Sequence, residues 1–182
     1  MKKYLIIIIT LFINLNILSA DDRVDQLNKL FNELKMNNSI IANEVEQKIW
    51  KIWSTHPADE KLTSLLAEGS NLVNNDKYSQ AIAIFSKAIE LDPSWAEAWN
   101  KRATVLYLSG EFEKSQNDID KVLELEKRHF GALAGQGLVN LHLKNYEKAI
   151  ESYKKAKEIY PSMKSPDIMI EKIKKLIKEQ SI

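Results

Sequence analysis

The sequence predicts an all-α fold, a stack of helical hairpins, and three observations carry that reading. Tyr78, Phe112 and Tyr146 stand 34 residues apart, and their neighbours recur at the same offset. After each comes a small side chain (Ala81, Ser115, Ala149), then a bulky one (Phe85, Ile119, Tyr153), then a compact one (Ala88, Val122, Ala156). Upstream the same register returns Leu65, Trp99 and Leu133, then Gly69, Ala103 and Gly137, while Pro93 and Pro161 mark equivalent ends with Lys127 between them. Secondly, only five glycines and four prolines interrupt 182 residues, which suits long helices. Thirdly, no segment alternates apolar and polar residues as a half-buried strand does. A fixed period in this range marks units that bury their apolar faces on one another.

Each element has its own local reason. Residues 1–20 have the layout of a secretory leader: Lys2 and Lys3, an apolar run from Tyr4 to Ile13, then Leu18, Ser19 and Ala20 before the acidic pair Asp21 and Asp22. Cleavage after Ala20 and an exported, periplasmic protein are the expectation. The alternative is a membrane anchor left uncleaved, but a spanning helix needs about 20 apolar residues, and Asn14 and Asn16 interrupt this run.

Residues 21–57 are expected to form a helical hairpin. Val24, Leu27, Leu30, Phe31 and Leu34 recur at helical spacing, Asn37, Asn38 and Ser39 interrupt, and Ile41, Val45, Ile49, Ile52 and Trp53 resume it. Ser39 is the expected N-cap of the second helix, and His56 before Pro57 ends it. Trp53 has two readings, an atypical cap packed on the first repeating unit or, with Trp50, an exposed aromatic edge for a partner.

The units fall at residues 62–95, 96–129 and 130–163, within a repeat region spanning 62–163. Asn74 to Asp76 and Ser109 to Gly110 make inner turns; Asp92 to Ser94 and Tyr160 to Ser162 make outer ones. Lys127 stands where proline would, so the run Glu126 to His129 is expected to let its helix continue further. Residues 164–182 form a last helix with Ile168, Ile170, Ile173, Leu176 and Ile177 on one face and lysines and glutamates on the other. That polar outer face suits the end of a stack.

The phased positions resemble the tetratricopeptide repeat (TPR) pattern of aromatic, Leu, small, aromatic, Ala, aromatic, Ala, Pro. That resemblance implies a right-handed α-solenoid of three repeats, with the N-terminal hairpin before it and a C-terminal capping helix after it. With its leader, the chain resembles small exported TPR proteins of Gram-negative bacteria. It departs from the pattern at Lys127, at Asp76 and Lys144 where glycine often turns the chain, and at Asn140 where a larger residue is usual.

In TPR proteins the first helix of each unit lines a concave groove that takes a peptide or a helix. Carried over by position, the lining is Leu66, Ser70, Val73 and Asn74 from unit one, Glu97, Asn100, Thr104, Tyr107 and Leu108 from unit two, and Ala134, Leu138, Leu141 and His142 from unit three. Part of it lies under the hairpin on a rival reading. One TPR subgroup clamps chaperone C-terminal carboxylates with Lys and Asn. Leu66 and Ser70 occupy those positions here, which argues against an Hsp70 or Hsp90 co-chaperone.

Composition narrows the function further. With 45% hydrophobic and 28% charged residues the chain has material for a core. Removing Lys2 and Lys3 leaves 24 basic against 25 acidic residues, so nothing draws the mature protein to nucleic acid. Cysteine is absent, which excludes disulfides and thiol chemistry. His56, His129 and His142 lack the spacing of a shared metal site, there is no glycine-rich phosphate loop, and runs such as Glu111–Glu113 and Glu124–Glu126 read as solvated faces. Arg128 and His129 read either as a loop site at the groove's mouth or as basic residues favoured at a helix end. No cofactor and no catalysis are expected. The expected activity is protein interaction, as a scaffold or adaptor, with an accessory subunit or chaperone of an envelope enzyme or transport complex as the alternative. The partner is a protein or peptide, self-association included; membrane insertion is not expected once the leader is gone.

Overall fold

The computed structural model of the chain describes residues 20–36 and 39–180. All regular structure among them is helical: α1 (Ala20–Leu34), α2 (Ser39–Ser54), α3 (Glu60–Asn74), α4 (Tyr78–Leu91), α5 (Ala96–Leu108), α6 (Phe112–Leu125), α7 (Phe130–His142), α8 (Tyr146–Ile159) and α9 (Ser165–Gln180). Residues 1–19 of the expected leader lie outside the described residues, as do Asn37, Asn38 and the side chains of Ala20, Asp21 and Ser39. None of the described helices is long and apolar enough to cross a membrane.

Helices α3 to α9 pack in chain order, each on the next. The tight approach within a pair comes from the phased small residues. A Cβ on Gly69 would collide with the Phe85 ring, and one on Gly137 would lie 2.6 Å from ring carbons of Tyr153. The middle pair substitutes Ala103 against the narrower Ile119. The inner turns each need one left-handed residue, and Asp76 (φ 57°), Gly110 (φ 75°) and Lys144 (φ 60°) supply it at equivalent positions.

The outer turns contradict one expectation. Helix α6 stops at Leu125 and does not run on through Lys127. Glu126 adopts φ −140°, ψ 95°, close to Asp92 at φ −141°, ψ 93°. The Glu126 carboxylate accepts from the Arg128 backbone N–H at 3.0 Å, as the Asp92 carboxylate does from Ser94 at 2.8 Å. A side-chain acceptor closes the turn, so proline is not needed.

A second correction concerns the hairpin. Trp53 is neither an end cap on the first unit nor an exposed edge. Helices α1 and α2 form one cluster with Phe130 and Tyr160, so the hairpin lies along the edge of the stack where the outer turns line up. Trp95 donates to the Trp53 carbonyl at 2.9 Å, and Tyr160 donates to Glu46 at 3.0 Å. At the other end α9 continues the stack, with Ile173 fully buried among Ala149 and Tyr153.

Candidate functional site

Two helix faces make the site. On α5, Asn100, Thr104 and Tyr107 recur at spacings of four and three; on α7, Gly131, Gly135 and Leu138 do the same, so each set shares one face. Between them lies a recess of about 70 Å³, floored by Ala103, Ser115, Ile119 and Ala132. No ionisable side chain other than the Tyr107 phenol lines it. Burial raises the Tyr107 phenol above its usual range, so it stays a neutral donor. Its ring is held by Phe112 at 5.6 Å and His142 at 5.2 Å, and His142 stacks on Phe112 at 4.6 Å. Thr104 donates its hydroxyl proton to the Asn100 carbonyl, and the Asn100 amide donates to Glu97 at 3.0 Å.

Helix α2 packs beside the recess. Trp50 packs so tightly on Gly131 that a Cβ there would lie 2.6 Å from the indole. His129 is fully buried, stacked on Trp53 with ring centroids 4.0 Å apart and planes 8° apart. Its Nδ1 accepts from the Ala132 N–H at 3.0 Å, which assigns the proton to Nε2, donating to Glu97 at 3.0 Å. Arg128 forks onto both oxygens of Glu126, reaches Asn28 at 2.8 Å and lies over the Phe31 ring at 4.3 Å. These two residues therefore form neither a free loop site nor the end of α6. They precede α7, where His129 is an accepting N-cap, and they fasten the hairpin.

The structure brings together four of the sequence-derived groove residues, Asn100, Thr104, Tyr107 and Leu138. Leu108 is exposed, and His142 is exposed except for its ring contacts. Leu141 is half-buried against the cluster that holds α9, and Ala134 joins it. Glu97 is buried under the hairpin contacts. The first unit contributes nothing to the recess: Leu66 is in the core, Val73 packs against it, the Ser70 hydroxyl bonds the Leu66 carbonyl, and Asn74 is exposed. Sequence reasoning missed Gly131 and Gly135. The available signal was a glycine inside a helix at a position outside the repeating pattern. No cluster of metal-ligating side chains occurs among the described residues.

A family model described as tetratricopeptide repeat matches residues 66–115 and 101–164. A TPR repeat-containing protein of Rhizobium etli is 31% identical over 149 residues, covering 79% of this chain and 69% of that protein. Hsp70-Hsp90 organizing protein 1 of Glycine max is 28% identical across 62% of this chain, which spans only 20% of that protein's length. Among solved structures, the Sgt2 TPR domain from Aspergillus fumigatus superposes with a TM-score of 0.64 at 23% identity, covering 68% of this chain and 83% of that one. The first TPR of Spaghetti (RPAP3), bound to the HSP90 peptide SRMEEVD, gives 0.63 at 21% identity, covering 65% and 94%.

Proposed function

The chain belongs to the tetratricopeptide repeat family, and from that premise we propose that it is a non-catalytic protein-interaction module that holds a segment of a partner protein across the faces of α5 and α7. The observation that carries this is the uncharged recess between those faces, beside which Trp50 packs on Gly131. An acidic peptide such as SRMEEVD needs cations to compensate its carboxylates. The recess offers none, so the chaperone peptides of the solved neighbours are not the expected ligands. The N-terminal layout of Lys2, Lys3, an apolar run and Ala20 supports a periplasmic location.

Thr104→Glu with Leu108→Glu tests the surface, since both side chains are exposed and Thr104 bonds only its own helix. Capture from a periplasmic extract should lose its stoichiometric partner in the variant while far-UV circular dichroism stays unchanged. Retained capture would move the working surface away from α5. Cell fractionation with N-terminal sequencing checks the location, which fails if the chain stays in the cytoplasm.

A further inference from the structure

Resting on that groove reading, we propose that the recess between α5 and α7 is a subsite for one branched aliphatic side chain, valine- to leucine-sized, on an uncharged extended segment of a partner protein. Size sets the upper limit. The recess holds about 70 Å³, roughly half of the ~150 Å³ cavity that accepts a benzene ring in an engineered protein core. An aromatic ring cannot lie wholly inside it, and a lone methyl leaves most of the space unfilled. Charge sets the second limit, because no Lys, Arg, Asp or Glu lines the recess and an ionised group would lose its hydration without compensation. The Asn100 amide and the neutral Tyr107 phenol stand beside it for a peptide backbone.

Gly135 supplies the third argument. Gly69, Gly137 and Gly131 have no room for a Cβ, against Phe85, Tyr153 and Trp50 respectively. At Gly135 a Cβ would meet only the Ile119 Cδ1, at 3.6 Å, an ordinary contact. Packing within the chain therefore does not require glycine there, and glycine weakens a helix interior relative to alanine. What its missing side chain provides is the open volume of the recess.

Blocked pentapeptides Ac-Ser-Gly-X-Gly-Ser-NH2, with X as Ala, Val, Leu, Phe or Asp, test this by titration into the 15N-labelled chain. Val and Leu should shift the amides of Thr104, Gly131 and Gly135 and bind at least about tenfold tighter than Ala, as the two carbons that Val adds and the three that Leu adds imply, with Phe weaker than Leu and Asp no better than Ala. Gly135→Leu, which fills the recess from within, should abolish that preference, and the smaller Gly135→Ala should reduce it. Phe or Asp binding as tightly as Leu, no binding by any peptide, or an unchanged preference in both variants would overturn the subsite and leave the groove reading standing. Shifts confined to residues outside α5 and α7 would overturn the groove reading itself.

Discussion

The second unit, α5 with α6, and the third, α7 with α8, have helices of 13 and 14 residues each yet solve three equivalent problems with different chemistry. At the second unit's junction with the first, Arg102 forks onto Asp118 at 2.7 and 2.8 Å and donates to Ser86 at 3.0 Å. At the equivalent positions 34 residues on, Ser152 donates to Gln136 at 2.9 Å and Gln136 donates to Asp120 at 3.3 Å. The acid has crossed from one side of the central residue to the other, and an ion pair has become an amide relay. In the notch, Ala103 faces Ile119 where Gly137 faces Tyr153; in the inner turn, Gly110 stands where Lys144 does. The repeat fixes distances between positions. Residue identity is then free to vary, provided the facing residue varies with it.

Breaking the two junctions separately should expose the difference most. Arg102→Ala strands Asp118, whose side chain is 7% exposed, and should cost about 3 kcal/mol, since removing one partner of a buried pair leaves an uncompensated charge. Gln136→Ala removes the bond from the Ser152 hydroxyl and a long, exposed bond to the Asp120 carboxylate, strands no buried charge, and should cost about 1 kcal/mol. Urea denaturation of both variants measures the gap, and equal losses would mean that the ion pair has no special role. Combining Arg102→Gln, Asp118→Ser and Ser86→Asp, which copies the third unit's relay, should recover most of the loss.

The notch comes next in size. Gly137→Ala removes a helix-weakening glycine but drives a methyl into the Tyr153 ring, so it should destabilise by about 1–2 kcal/mol. Adding Tyr153→Ile, the pairing the second unit uses, should relieve that loss. A Gly137→Ala protein more stable than the wild type would show that the ring yields.

Much of this was legible because the period lists facing residues in parallel. Gly69 with Phe85 and Gly137 with Tyr153 could be read as notch and filler before any coordinate. The dock of the hairpin could not. Trp53 on His129, Phe31 under Arg128 and Glu46 with Tyr160 join residues 76, 97 and 114 apart in sequence, and none of these pairs recurs at the 34-residue period, so no pattern announces them. The groove was half legible. Asn100, Thr104 and Tyr107 came from the groove positions that the TPR resemblance implies on α5, whereas Ser70 turned its hydroxyl to its own helix and Gly135 mattered for a side chain it lacks. The stop of α6 was misread because the pattern looks for proline, and Glu126 achieves the same turn through its carboxylate.

The ends of the two units differ in charge, which gives a pH test. Glu126 pairs with Arg128, while at the equivalent position the Tyr160 phenol donates to Glu46. Burial first, then that bond, pushes the Tyr160 phenol up to about 12. The neutral form is the one the fold favours, so its contribution is complete below the ordinary tyrosine range near 10 and is lost as pH rises toward 12. Thermal melts between pH 9 and 12 should show a steeper decline in the wild type than in Tyr160→Phe; parallel curves would remove Tyr160 from the hairpin's attachment.

The smallest expected effect separates backbone from side chain. Lys144 holds φ at 60° with an L side chain, a conformation that costs about 1 kcal/mol or more relative to glycine. Gly110 meets the same demand without that cost, and the Glu111 and Asn145 N–H groups close both turns identically, each bonding a carbonyl five residues back at 2.8 Å. Lys144→Gly should therefore stabilise by about 0.5–1 kcal/mol, offset in part by the greater freedom of glycine in the unfolded chain, and Gly110→Lys should destabilise by a similar amount. Because the backbone hydrogen bonds are the same in both turns, an asymmetry between the two substitutions would come from side chains, Lys144 itself or Asn145, which donates to Asn140 at 3.4 Å in the third unit. A Lys144→Gly protein that melts lower than the wild type would mean that the lysine makes a stabilising contact that outweighs its backbone strain.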